Sequence, residues 1–360
     1  MVLNVAYPGT GEISKQQREV ARDVISAAGT CYVIGKNGAS EALIARGGIA
    51  GVIDDNAAPG TLWNGVPAVK SSELGKDAMV VNCSFSISPV SVHRMLEKRG
   101  VRHIPYYVLP EVDPNIALPD FVQEFRSDFK AHRKEWDALY TLLGDEESRR
   151  ILTDIVNFRL SGDYRFMMEY SVRFKDQYFD PIVKTGPEEV FVDCGGFDGD
   201  TILEFIKRYG QYKKIVMFEP SAENFNRAQA NLAQHENIEL VMAGVSDVLG
   251  TLSFSGQEGS ASHIDAQGAT AIMVETLDHH IRESITFIKM DIEGWEQNAL
   301  RGAEVHIKQD HPKLAVAVYH SAQDFWQIPK LVRGMRNDYR IYLRHYSEGW
   351  SETVMYFIPA

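Results

Sequence analysis

Asp193, Asp198 and Asp200 crowd the glycine-rich turn of Val190-Phe-Val-Asp-Cys-Gly-Gly-Phe-Asp-Gly-Asp-Thr201, which follows an apolar strand. A turn that cradles pyrophosphate offers backbone N–H groups and a helix N-terminus to an anion, and three carboxylates oppose that. A cationic ligand suits the stretch better. S-adenosylmethionine carries an ammonium and a sulfonium and no phosphate, so Asp193 at the strand end is expected to meet the ammonium while Gly195 and Gly199 let the backbone approach. A plain strand-turn-helix with glycines for tight geometry is the alternative.

The next apolar run, Ile215-Val-Met-Phe218, ends on Glu219-Pro220. The distance from Gly195 to Glu219 is close to the ~20 positions expected between a nucleotide-binding glycine turn and the acid that accepts ribose hydroxyls. Farther on, the period of two puts Phe287, Lys289 and Asp291 on one face of a strand over 286–291, and Asp291-Ile-Glu293 leaves its C-terminal end. A strand over 313–318 is apolar until Tyr319-His320. Asp291, Glu293 and His320 can therefore converge over the sulfonium of such a ligand.

A base is the expected chemistry of such a cluster, with His320 the leading candidate and Asp291 orienting it or touching the acceptor. Lys289, inside an apolar strand, must be paired, with Asp291 or Glu293 as the expected partner. Asp291 and His320 could instead hold a divalent metal, but two ligands are too few to assign one. His279-His280 read as surface residues. Arg344-His345, near the C-terminus, are candidate acceptor contacts.

From about residue 145 to the C-terminus the chain resembles the FkbM family of methyltransferases. The likeness lies in Phe191–Thr201, Phe218-Glu-Pro-Ser-Ala-Glu-Asn-Phe225, Gly244-Val-Ser-Asp247, Phe287-Ile-Lys-Met-Asp-Ile-Glu-Gly-Trp-Glu296, Val318-Tyr-His-Ser321 and Leu343-Arg-His-Tyr-Ser347. The resemblance implies a class I, S-adenosylmethionine-dependent O-methyltransferase acting on hydroxyls of sugars, glycans or secondary metabolites. It implies a cofactor site from Asp193, Gly195, Gly196, Phe197, Asp198, Gly199, Thr201, Glu219, Pro220, Ser246 and Asp247, with catalytic roles for Asp291, Glu293 and His320. It also implies a mostly parallel seven-stranded sheet ending in a reversed strand, here within the hairpin Arg340–Arg344 and Glu352–Ile358. Gln177-Tyr-Phe-Asp-Pro181 lies beside the cofactor in that likeness, so Tyr178 and Phe179 are candidates to wall the sulfonium, although packing serves them equally well.

The elements that must position these residues read as two α/β units. Residues 1–112 form a smaller Rossmann-like domain, with helix 17–29, strand Cys31–Ile34, helix 40–47, strands Ile49–Ile53, Val66–Val69 and 78–82, and helix 88–99. Its turn Gly35-Lys-Asn-Gly38 carries no acid, and Asp54 follows at nucleotide-site spacing, so a phosphate-bearing ligand is conceivable. Packing, or contact in a homo-oligomer, is the competing role. Pro105 to Pro119 reads as a linker. Phe121, Phe125, Phe129, Trp136, Leu139, Tyr140 and Leu143 then recur at helical spacing, making 113–185 a linker and helical segment that covers an edge of the second sheet. Residues 186–360 form the second domain, with Ser/Gly-rich 255–268 as a loop.

With 360 residues, two domains are expected, and 44% hydrophobic residues can fill both cores. A net charge of −12 opposes contact with nucleic acid or anionic membrane. Three separated cysteines, Cys31, Cys83 and Cys194, disfavour disulfides and structural zinc. With no signal-like segment and no long apolar run, the cytoplasm is the expected location. The competing functions are a nucleotide or nucleotide-sugar binding protein with an inactive second domain, and a dehydrogenase.

Overall fold

The structure, a computed structural model, describes residues 3–5, 13–26, 30–255, 263–264 and 270–360. Apolar runs of four or five residues bounded by glycines and polar turns build two largely parallel sheets. The first runs in the order Leu62–Trp63, Val66–Val69, Ile49–Ile53, Cys31–Ile34, Met79–Asn82, Arg102–Pro105, with only the first pair antiparallel. Its helices Lys15–Ile25, Gly38–Arg46 and Pro89–Lys98 start at Ser14, Asn37 and Ser88. Ser14 and Asn37 accept hydrogen bonds from the first-turn amides, and Pro89 occupies a position that needs no donor.

The second sheet has seven strands in the order Tyr339–His345, Thr353–Pro359, Lys313–Ala317, Phe287–Met290, Val190–Cys194, Lys214–Phe218, Ile238–Val241. Thr353–Pro359 is antiparallel to both neighbours, so a reversed strand is inserted between two others. Gly244–Val245, Thr270–Glu275, Gly250–Ser255 and His263–Ile264 make a further small sheet, where the sequence suggested a loop over 255–268. Residues 256–262 and 265–269 of that stretch lie outside the described residues.

The proposed linker is not extended. Tyr106–Val108 is a turn of 3-10 helix, and Tyr106 to Leu109 are buried in the first core. Pro105 ends the last strand of the first sheet, paired with Asn82, and the aromatic side chains after it bring surface worth burying. Helices Asp120–Ala131, Arg133–Leu142 and Glu146–Ser161 follow, and Phe125, Phe129, Trp136, Leu139 and Leu143 join the core on one face of the second sheet. Glu146–Ser161 covers the edge strand Tyr339–His345, where Ser148 Oγ accepts the Leu343 amide at 2.9 Å.

The hairpin turn between Tyr339–His345 and Thr353–Pro359 docks on the first unit. The Glu348 and Trp350 amides donate to the Ile87 and Phe85 carbonyls at 2.8 and 3.0 Å. A Cβ at Gly349 would lie 2.0 Å from the Phe85 carbonyl oxygen, so the approach requires glycine. Among the described residues no helix is long and apolar enough to cross a membrane.

Candidate active site

A cavity of about 880 Å³ opens at the C-terminal edge of the second sheet, the edge where open α/β sheets take their ligands. Its floor is the glycine turn. Gly195 has φ +79°, and a Cβ there would fall 2.0 Å from the Asp291 carbonyl oxygen, so the turn can lie on the 291–294 loop only without a side chain. Gly195, Phe197, Thr201, Glu219 and Pro220 line the cavity. Glu219 Oε2 accepts the Phe197 amide at 3.0 Å and Oε1 the Ser221 amide at 2.9 Å, while burial pushes its carboxyl above the usual range.

Asp193 does not meet the cavity. It is fully buried, and Lys289 Nζ stands 2.9 Å from its Oδ1 and donates to the Gly195 carbonyl at 2.7 Å. Lys289 and Asp193 are register neighbours on adjacent strands, so the lysine's partner is Asp193 and not Asp291 or Glu293. Burial raises the Asp193 pKa although Lys289 pulls it down. The pair props the turn from below. Gly196, Asp198, Gly199, Ser246 and Asp247 also stand behind the lining. A Cβ at Gly196 would strike Met217, Gly199 opens helix Asp200–Tyr209 with φ +86°, and the Asp198 carbonyl accepts Asn231 Nδ2. Ser246 Oγ accepts from Trp295 Nε1 and donates to Asp247, so the wall there is Gly244 and Val245 instead.

Asp291, Glu293 and His320 meet at the cavity wall. His320 Nε2 lies 3.4 Å from Asp291 Oδ1 and 3.3 Å from Glu293 Oε2, and Nδ1 lies 3.1 Å from Glu296 Oε1. Burial disfavours a charged imidazole, but these carboxylates outweigh it and raise the His320 pKa well above the ordinary value. The imidazole is thus held among three carboxylates at the wall where a base was expected. Asp291 accepts from the Tyr178 hydroxyl at 2.5 Å and the Tyr319 hydroxyl at 3.2 Å. Tyr178 and Phe179 do line the cavity, although Tyr178 also makes this structural contact.

Arg344 and His345 point elsewhere. Arg344 pairs with Asp145 at 2.7 Å and Asp180 at 3.3 Å. His345 bonds Thr353, and burial pushes its pKa down to about 3. The residue sequence reasoning missed is Glu352. It lines the cavity, bonds Gln177 Nε2 at 2.7 Å, and is raised to about 7 by burial and by Asp291. Ser86, Ile87 and Trp350 complete that side. Arg159 braces it from behind, donating to the Tyr319 and Trp350 carbonyls at 3.0 and 2.6 Å. Backbone strain gathers here as well. Tyr178, Phe197, Glu293 and Glu352 have φ of +69°, +48°, +55° and +65°, and all four line the cavity.

Residues 193–347 match the family model described as the methyltransferase FkbM domain. The chain carries an FkbM methyltransferase domain. That makes it an S-adenosylmethionine-dependent methyltransferase by class. The crystal structure of a methyltransferase FkbM from Methylobacillus flagellatus KT superposes with a TM-score of 0.72 at 22% identity, covering 96% of this chain and 93% of that one, so the shared fold includes the first unit. An rRNA methylase from Streptococcus thermophilus covers 48% of this FkbM-type chain and 88% of its own at 17% identity and a TM-score of 0.34, too distant to inform the site. No curated protein matches.

Proposed function

We propose that this methyltransferase acts on oxygen, transferring a methyl group to a hydroxyl of a sugar, glycan or secondary metabolite, with S-adenosylmethionine and acceptor sharing the one cavity. The sign of its wall carries the reading. Asp200, Glu204, Glu219, Asp291, Glu293 and Glu352 face it against three lysines, Lys175, Lys207 and Lys289, of which Lys207 is paired with Glu204 and Lys289 with Asp193. Such a wall favours a cationic cofactor and opposes the pyrophosphate of a dinucleotide.

Glu219 is suited to the ribose hydroxyls, and exposed Phe197 with Gly244 and Val245 to a flat base. When bound, the cofactor supplies an activated methyl on a cationic sulfur. The acceptor then has the side bounded by Ser86, Ile87 and Trp350, next to Asp291 and Glu352. Glu352, held near neutrality, takes the acceptor proton, because a base works best when its pKa lies close to the operating pH.

Calorimetry with S-adenosylhomocysteine, NAD and UDP tests the cofactor. Only the first should bind, and Glu219→Ala should weaken it by at least ~1 kcal/mol. Binding of NAD in its place would overturn the reading. Product release with a panel of hydroxyl-bearing sugars then tests the acceptor class.

A further inference from the structure

The carboxylates around His320 outnumber the cations available to them. Asp291, Glu293 and Glu296 stand within 3.1 to 3.4 Å of one imidazole, and the nearby lysine is committed to Asp193. Buried like charges without compensation are costly. The His320 side chain is 9% exposed, neither of its ring nitrogens makes a hydrogen bond of proper geometry, and Glu296 Oε2 has no partner although it is fully buried. Ionic contacts without directional bonds are what a site leaves when it is shaped for a spherical ion.

The distances agree with that. Neighbouring ligands around an ion with bonds of about 2.2 Å stand roughly 3 to 3.5 Å apart, close to the 3.4 and 3.1 Å that separate the His320 ring nitrogens from Asp291 and Glu296. Donor atoms of Asp291, Glu296 and His320 also fall within 4.8 Å of one another. The supporting contacts have the form that holds metal ligands in place. Glu296 Oε1 accepts the Ile292 and Gly294 amides, which fixes the carboxylate while its Oε2 stays unpartnered. The Tyr178 and Tyr319 hydroxyls fix Asp291.

We propose that Asp291, Glu296 and His320 bind one divalent cation beside the cavity wall, with the two tyrosines orienting Asp291. Mixed carboxylate and imidazole donors suit magnesium or manganese. Resting on the O-methyltransferase reading, the ion serves there as a Lewis acid that lowers the pKa of an acceptor hydroxyl.

The probe is manganese alone, titrated into the full chain and followed by the paramagnetic resonance signal of the free ion. Wild-type protein should bind one equivalent, and Asp291→Asn and His320→Gln should each weaken binding at least ~10-fold. S-adenosylhomocysteine calorimetry on the same samples reports whether each variant is folded. Tyr178→Phe, which removes no ligand, should weaken manganese binding by a smaller factor. Absence of saturable binding at millimolar manganese, or equal binding by the folded Asp291 and His320 variants, overturns the site. Cofactor binding without manganese binding sinks the metal site alone, and the reverse result sinks only the cofactor reading.

Discussion

The C-terminal edges of the two sheets follow the same strand-turn-helix plan and end differently. On the second, the glycine turn is propped from beneath by the Asp193 and Lys289 pair, and the space above it stays open. On the first, the turn is closed by its own side chains. A Cβ at Gly35 would lie 2.7 Å from the Cys83 carbonyl, Asn37 Nδ2 donates to that carbonyl at 2.6 Å, and Lys36 reaches Asp54 at 2.5 Å. The start of helix Pro89–Lys98, where an anion would sit, is taken by a carboxylate from the other unit: the Ser91 amide and hydroxyl donate to Glu348 at 2.6 Å. In this chain the turn whose charges are satisfied from below is the one that keeps an open mouth. Where they are satisfied across the mouth, the edge becomes a joint, and here that joint carries Ser86 and Ile87 to the methyltransferase cavity.

The largest effect should come from breaking the prop. Asp193→Asn leaves Lys289 charged, buried and unpaired, so unfolding in denaturant should show a loss of about 3 to 5 kcal/mol. A loss under about 1 kcal/mol would mean that the pair is not what holds the turn. Next comes Glu352 at the open edge. Its folded pKa of about 7 lies above the ordinary 4.5, so the folded state binds the extra proton between those values and stability falls as pH rises through that window. Glu352→Gln should therefore be more stable than the parent above about pH 7, by roughly 1 to 3 kcal/mol after allowance for screening, and the gain should vanish near pH 4.5. Methyl transfer should drop at the same time. A variant equally stable at every pH would remove Glu352 as the near-neutral group. At the joint, Glu348→Ala orphans the Ser91 amide and hydroxyl, and thermal melts should register about 2 kcal/mol; no change would mean that backbone pairing alone holds the units.

These contrasts were unevenly legible in the sequence. The strands over 190–194, 215–218 and 287–290 show through because period and apolar run length are local properties. The partner of Lys289 does not, since which strand lies beside Phe287–Met290, and in what register, is decided by packing across about a hundred residues. Glu352, Ser86, Ile87 and Trp350 reach the cavity from segments with no motif of their own, one of them in the other unit. Arg344 and His345 drew attention by residue type, but charge partners and burial turned them into supports of the edge strand. Of the acids crowded at 193–200, Asp200 lines the cavity, while Asp193 is buried against Lys289, a placement only the neighbouring strand decides.

The smallest effect belongs to the closed edge. Lys36 and Asp54 have side chains 37% and 24% exposed, and Lys36 holds the Asp54 carboxyl below its usual range. An ion pair this wet contributes less than about 1 kcal/mol, because water screens the attraction and two side chains lose freedom to form it. Lys36→Ala should therefore shift the melting transition only slightly. The same variant separates a closed turn from a phosphate site. If the pair closes the mouth, UDP titrated into either protein gives no heat beyond dilution. If Lys36 serves a phosphate, the wild type binds UDP and the alanine variant loses it, since the lysine supplies the only positive charge in Gly35-Lys-Asn-Gly38. The second outcome would make the two edges alike, and the contrast drawn between them would fail.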